Sequence, residues 1–283
     1  MRMIPDYDGD LSITFRFIQK TINRFGDSVH THIYMISIFP TTLRFSVFAA
    51  GLLLTSQAQA HQAWIEQNAQ GAKLFFGEFG ENMRELTPGA LDKFTLPAAH
   101  RVSTGGKQAL TVQKTANGFA LGKPAAKGES LIAEETGYPS WEQKRGADTV
   151  RGVFMPAARL VTDLRQQAPQ LTLDLVPTGN NAKGTVEVKA FYKGQPLPKA
   201  KVILVSSAGW SQEHLTDETG ALTVSTPWRG TYVLEVAHSD KTAGQRGAEK
   251  YDFADYVTSL TLSQPTGLAA LPTVPATAPP KAD

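Results

Sequence analysis

From Thr185 to Tyr192 the chain reads Thr-Val-Glu-Val-Lys-Ala-Phe-Tyr, with Val186, Val188 and Ala190 alternating against Thr185, Glu187 and Lys189. That period of two constrains the fold more than any other feature. Successive side chains of an extended strand point to opposite faces, so the pattern suits a sheet buried on one side and does not suit a helix. Similar short runs recur at Lys73–Phe76, Leu110–Gln113, Val150–Met155, Leu171–Val176, Lys201–Ser206, Ala221–Ser225, Thr231–Ala237 and Tyr256–Leu262, separated by Gly, Pro, Asn and Asp. Apolar runs bounded by turn residues at this spacing predict an all-β chain of antiparallel sheets. Only Pro156–Gln167 has helical spacing, through Ala158, Val161 and Leu164, and it reads equally well as strand and loop.

Pro177-Thr-Gly-Asn-Asn-Ala-Lys-Gly184 is the densest turn cluster, and a domain boundary is expected there. The expectation is therefore two β-sandwich-like domains, residues 61–178 and 184–263, the second resembling immunoglobulin, fibronectin or carboxypeptidase-regulatory sandwiches. Residues 264–283, rich in Pro, Ala and Thr with little to bury, are expected to be disordered.

Arg44 to Ala60 reads as a basic residue, an apolar run from Phe45 to Leu54 and an Ala58-Gln59-Ala60 end. This is the three-part pattern of a secretory signal peptide, and the run falls short of the roughly 20 residues that span a bilayer. Residues 1–60 are thus expected to be an upstream extension and a signal peptide, removed to leave a soluble periplasmic protein starting at His61. Residues 1–42 fit a signal peptide poorly, because Asp6, Asp8, Asp10 and Asp27 precede the apolar run.

The absence of cysteine excludes disulfides, thiolate metal sites and cysteine nucleophiles. With 28 Lys and Arg against 26 Asp and Glu, the chain has little field to draw it to nucleic acid, and no basic run interleaved with aromatics appears. No nucleophile elbow, zinc-protease helix, phosphate loop or dinucleotide fingerprint is present, so no enzyme activity is expected.

Thr172-Leu-Asp-Leu-Val-Pro-Thr-Gly179, Gly194-Gln-Pro-Leu-Pro-Lys-Ala-Lys-Val202, Thr216-Asp-Glu-Thr-Gly220 and Gly230-Thr-Tyr-Val-Leu-Glu-Val-Ala-His238 follow one another in order, after His61-Gln-Ala-Trp64-Ile-Glu66 at the expected mature terminus. This arrangement resembles a bacterial family of periplasmic components associated with cobalt and nickel ABC-type uptake. The resemblance implies binding or delivery of nickel or cobalt to a membrane uptake transporter.

The residues offer a compatible chemistry. Cleavage after Ala60 would give His61 a free α-amine beside its imidazole, two nitrogen donors suited to nickel, copper or zinc. His238, at the end of the strand Thr231–His238 and on one face with Leu234 and Val236, is the expected second ligand. His100 and His214 are weaker candidates, one beside Arg101 and the other in an ordinary exposed strand. Glu78, Glu81 and Glu85 share a Gly-rich segment in which Met83 adds a thioether suited to copper. Glu66 falls on the face of Trp64 rather than that of His61.

Two other readings stand beside this one. An adhesion or scaffold sandwich would bind protein or glycan through Trp64, Trp141, Trp210 and Trp228 without metal. A copper-dependent oxidative enzyme would use the N-terminal histidine.

Overall fold

The computed structural model describes residues 61–279; the expected signal peptide and upstream extension lie outside the described residues. The first part of the chain runs through β1 (Gln62–Asn68), β2 (Gly71–Glu78), β3 (Met83–Arg84), β4 (Pro97–Ser103), β5 (Gly106–Leu110), β6 (Gln113–Thr115) and β7 (Gly118–Ala120). It continues through β8 (Ser130–Glu135), β9 (Trp141–Arg145), β10 (Asp148–Val161), β11 (Leu173–Ala182), β12 (Thr185–Tyr192), β13 (Gln195–Pro196) and β14 (Lys201–Ser206). The last strands are β15 (Ser211–Leu215), β16 (Ala221–Ser225), β17 (Gly230–Asp240), β18 (Gly244–Arg246), β19 (Glu249–Tyr251) and β20 (Phe253–Gln264). Two 3-10 turns, Phe79–Glu81 and Ala90–Lys93, are the only helical elements among the described residues. The fold is all-β, as the alternation predicts.

A nine-stranded sheet, ordered β15-β14-β17-β20-β10-β8-β4-β5 with β9 on β10, forms the backbone of the molecule. It is antiparallel except where β10 and β20 pair in parallel, Gly152 with Phe253 through Leu160 with Thr261. Because paired residues face the same way, Leu234, Val236, Leu260 and Leu262 point to one side while Val233, Ser259 and Thr261 point to the other. The first side meets β11, β12 and β16, burying these leucines and valines with Val186, Val188, Ala190, Leu222 and Val224 in one core. Each such aliphatic side chain contributes about 1.5–3 kcal/mol of burial. At the corner of this sandwich the Tyr232 hydroxyl bonds the backbone of Trp228 as donor and acceptor, at 3.0 Å each.

The second core lies between the other sheet, β1-β2-β7-β6 with β3 on β2, and the β10-β8-β4 end of the nine-stranded sheet. Here Ile65, Leu74, Phe76, Leu91, Phe94 and Phe119 pack on Leu131, Ala133, Ala158 and Leu160. Strand β1 is tied to the shared sheet by Ser259, whose hydroxyl donates to the Ala63 carbonyl at 2.6 Å. The opposite face of β1 carries Trp64, fully buried against Phe79 and Val233. Two sandwich-like halves are therefore present, joined through one sheet, with residues 61–279 inside a single compact unit.

Three local expectations are corrected. The turn cluster Pro177–Gly184 does not separate domains: β11 continues through it to Ala182 and pairs with β12, a register shift between Pro177 and Asn181 absorbing the irregular residues. Leu110–Gln113 is not one strand, since β5 ends at Leu110 and β6 begins at Gln113. The described part of the tail, residues 265–279, runs along the sandwich, with the Leu268 N–H bonded to the Pro227 carbonyl at 2.9 Å and the Leu268 carbonyl accepting from the Arg229 N–H at 3.0 Å. The backbone groups of Leu268 and Val274 find partners even though the side chains of this stretch are largely exposed. The ambiguous segment Pro156–Gln167 is strand as far as Val161, because the parallel partner β20 satisfies its backbone.

Candidate functional site

His61 stands immediately before β1, whose first pair is Gln62 with Gly77, so one step further along the register His61 faces Glu78. Gly77 is required there: its φ of 141° lies where side chains are disfavoured, and a Cβ would collide with the Met83 carbonyl. Its missing side chain lets the chain double back through the 3-10 turn Phe79–Glu81 and through Asn82 in the left-handed conformation, φ 50°. The returning segment is fastened by the Glu85 N–H, which donates to the Phe76 carbonyl at 2.8 Å.

This fold-back delivers Glu85 to His61. The Glu85 carboxylate Oε1 and the imidazole Nε2 are 2.5 Å apart, with side-chain exposures of only 6% and 11%. The His61 ring rests on Phe76 at a centroid distance of 5.1 Å, and Phe76 in turn contacts Phe94 and Tyr138. His61 makes no other side-chain hydrogen bond among the described residues, and none engages Nδ1.

Electrostatics mark the same place. Burial pushes the Glu78 carboxyl above its ordinary pKa, the Glu81 charge adds to this, and His61 opposes it. Glu235, part-buried on β17 with Val233, is pushed up to about 7, first by burial and then by the charge of Glu78. Tyr138 is pushed up to about 12 by burial, with Glu85 contributing. A histidine and four carboxyl groups thus influence one another around the start of β1, in a setting where removal from water costs the ionised forms most. Gln62, next along the chain and 5% exposed, has no hydrogen-bond partner for Oε1 among the described residues.

Of the residues expected to form a site, the fold brings together His61, Glu78, Glu81 and Glu85. His238 does not join them. It shares the face of Leu234 and Val236, which the shared sheet turns toward the other core, and its ring lies 4.3 Å from that of Tyr192. Tyr192 donates to Asp240 at 2.5 Å and Lys193 donates to the same carboxylate at 2.9 Å, an arrangement that holds Asp240 well below the usual carboxylate range. Burial lowers the His238 pKa. The expectation that His238 partners His61 is overturned by strand parity: residues at even and odd positions of β17 serve opposite cores. His100 is half-buried on β4 and His214 on β15, both away from the cluster. Glu66 accepts from the Trp64 indole N–H at 2.7 Å and from Arg84 at 2.8 Å, on the face away from His61.

The pairing of Glu85 and the presence of Glu235 escape a reading of the sequence. Glu85 belongs to the Gly-rich segment, but its pairing with His61 depends on the return past Gly77. Glu235 leaves one local trace, an acid in phase with Val233 and Ala237 on an otherwise apolar strand face. Among the described residues no three His, Asp or Glu side chains are arranged to hold a metal ion by themselves.

The tryptophans serve packing. Trp64 is core, Trp210 and Trp228 meet edge to face at 4.9 Å, and Trp141 meets Phe253 at 5.5 Å.

No family model matches this chain, and no curated protein matches it. Among solved structures, a segment of two fibronectin type-III domains from chicken tenascin is similar at 10% identity, over 72% of this chain and 98% of that one, with a TM-score of 0.20. A superposition at that level carries no argument, and the sandwich architecture stands on the strand pairing described above.

Proposed function

We propose that the chain is exported, that cleavage after Ala60 frees His61, and that the freed residue captures a divalent transition ion, nickel or cobalt, for delivery to a membrane uptake transporter. The single observation that carries this reading is the hydrogen bond between Glu85 and His61 Nε2, which leaves Nδ1 as the ring donor. The α-amine and Nδ1 of one residue close a chelate ring, and nitrogen donors of this kind suit nickel and cobalt and also copper and zinc. A carboxylate behind the imidazole orients the ring and strengthens it as a ligand. Glu78 and Glu81 supply the negative charge that offsets a dication. Since the side chains alone form no three-ligand group, the terminal nitrogen is an essential donor in this reading.

The test is calorimetric titration of chain beginning at His61 with nickel, cobalt, copper and zinc, beside His61→Ala and the unprocessed chain. Binding by the processed chain and its loss in both controls supports the reading. Absence of heat overturns it and leaves the sandwich as a scaffold without metal; equal binding by all three proteins overturns it by putting the ion at a place that does not involve His61.

A further inference from the structure

The segment beyond β20 is anchored at two places. Near its start Leu268 bridges Trp228, and Gly267, at φ 120°, packs so closely on the Pro227 carbonyl that no side chain would fit. Further on, the Val274 N–H donates to the Ser207 carbonyl at 3.3 Å, the Val274 carbonyl accepts from Asn82 Nδ2 at 2.8 Å, and Thr277 forms a parallel bridge with Met83.

Three stretches of chain distant in sequence meet at that second anchor. A Cβ on Gly209 would stand 2.9 Å from the Gly80 carbonyl oxygen and 3.1 Å from Val274 Cγ2, so glycine at 209, with φ 76°, permits the close approach of the 79–82 turn, the β14–β15 turn and the tail. Gly80 is similarly confined, a Cβ there falling 3.0 Å from Val205 Cγ1. Asn82 is gripped from both ends of its amide: Nδ2 donates to the tail, and Oδ1 accepts from Arg84. Asn82 and Met83, with Arg84, are the residues between Glu81 and Glu85.

We propose that the tail is a strap completing the His61 site: Val274 and Thr277 hold Asn82 and Met83, and Asn82 thereby acts as a positioning residue for Glu85. This rests on the metal-binding reading above. The prolines at 265, 272 and 275 suit the role, because they limit the conformations the free segment must give up when it docks. A left-handed residue at position 82 sets the return of the chain, and the tail supplies the tertiary contact that keeps it there.

The experiment compares the processed chain with a truncation ending at Gln264, which keeps every paired strand, and with Asn82→Gly, which retains a residue tolerant of φ 50° but removes the amide. Two quantities are read: hydrogen exchange of the Asn82 and Glu85 amides, bonded to the Phe79 and Phe76 carbonyls, and nickel affinity by competition with a coloured chelator. Faster exchange in both variants with about a tenfold weaker nickel complex supports the strap, that being the lower end of what loss of ligand orientation costs. Unchanged exchange overturns it whatever happens to the metal. Faster exchange with unaltered nickel affinity also overturns it, because the turn would then be held without consequence for the site. If the intact processed chain binds no nickel, the metal reading falls, and the exchange data still decide whether the tail restrains the turn. Should the truncation unfold, Asn82→Gly carries the comparison alone.

Discussion

Replacing Glu235 by Gln should make the protein more stable at pH 8 and scarcely alter it at pH 5. Glu235 sits on β17 with burial and the neighbouring Glu78 charge lifting its pKa from 4.5 to about 7. Between those two values the folded protein holds a proton that the unfolded chain has released, so stability falls as pH rises across that window. Raising the pKa by that amount corresponds to about 3 kcal/mol at most, fully expressed above pH 7. Glutamine imitates the protonated acid in shape and hydrogen-bonding capacity and cannot ionise. Urea unfolding followed by tryptophan fluorescence at pH 5, 6, 7 and 8 measures the difference directly. The variant should track the parent at pH 5 and exceed it increasingly up to pH 8, by a sizeable part of 3 kcal/mol. Parallel stability profiles would refute the reasoning, since they would mean that Glu235 ionises in the folded protein as easily as in the unfolded one.

Other substitutions probe the frame that holds the site. Arg159 and Asp174 form a pair with 0% side-chain exposure, joined at 2.9 and 2.6 Å, and Asp174 also accepts from the Gln170 and Leu171 N–H groups. Asp174→Ala should cost about 3–5 kcal/mol in urea unfolding, whereas replacing both partners by Met and Leu should cost much less, because no lone buried charge remains. Gly77→Ala should destabilise the chain and raise exchange at the Glu85 amide, as the new Cβ drives the Met83 carbonyl away from β2. Tyr232→Phe removes the bond to Trp228 and should lower stability by about 1 kcal/mol. Glu85→Ala should weaken nickel binding by about tenfold or more with the fold intact by circular dichroism, and an unchanged affinity would remove Glu85 from the site.

The alternation in Thr185–Tyr192, Lys201–Ser206 and Thr231–Ala237 was sufficient to read those strands and the faces they bury, because the parity of a strand is a local property of the backbone. The pairing of Glu85 with His61 was not legible in the same way. It requires a glycine that admits a close return, and the turn that follows has its contacts in the tail, far along the chain. Likewise the sequence puts His238 in phase with Leu234 and Val236, yet says nothing about which of two cores that phase will meet. Only the joining of β10 to β20 settles that, turning one face of β17 toward the Tyr192 cluster and the other toward Trp64. The anchoring of residues 265–279 is invisible to composition for a related reason: composition registers apolar side chains available for burial, whereas Val274 and Thr277 are held largely through backbone groups. Local sequence thus determined the strands and their inward residues; contacts between distant segments, which carry no local periodicity, decided what the acidic cluster is made of.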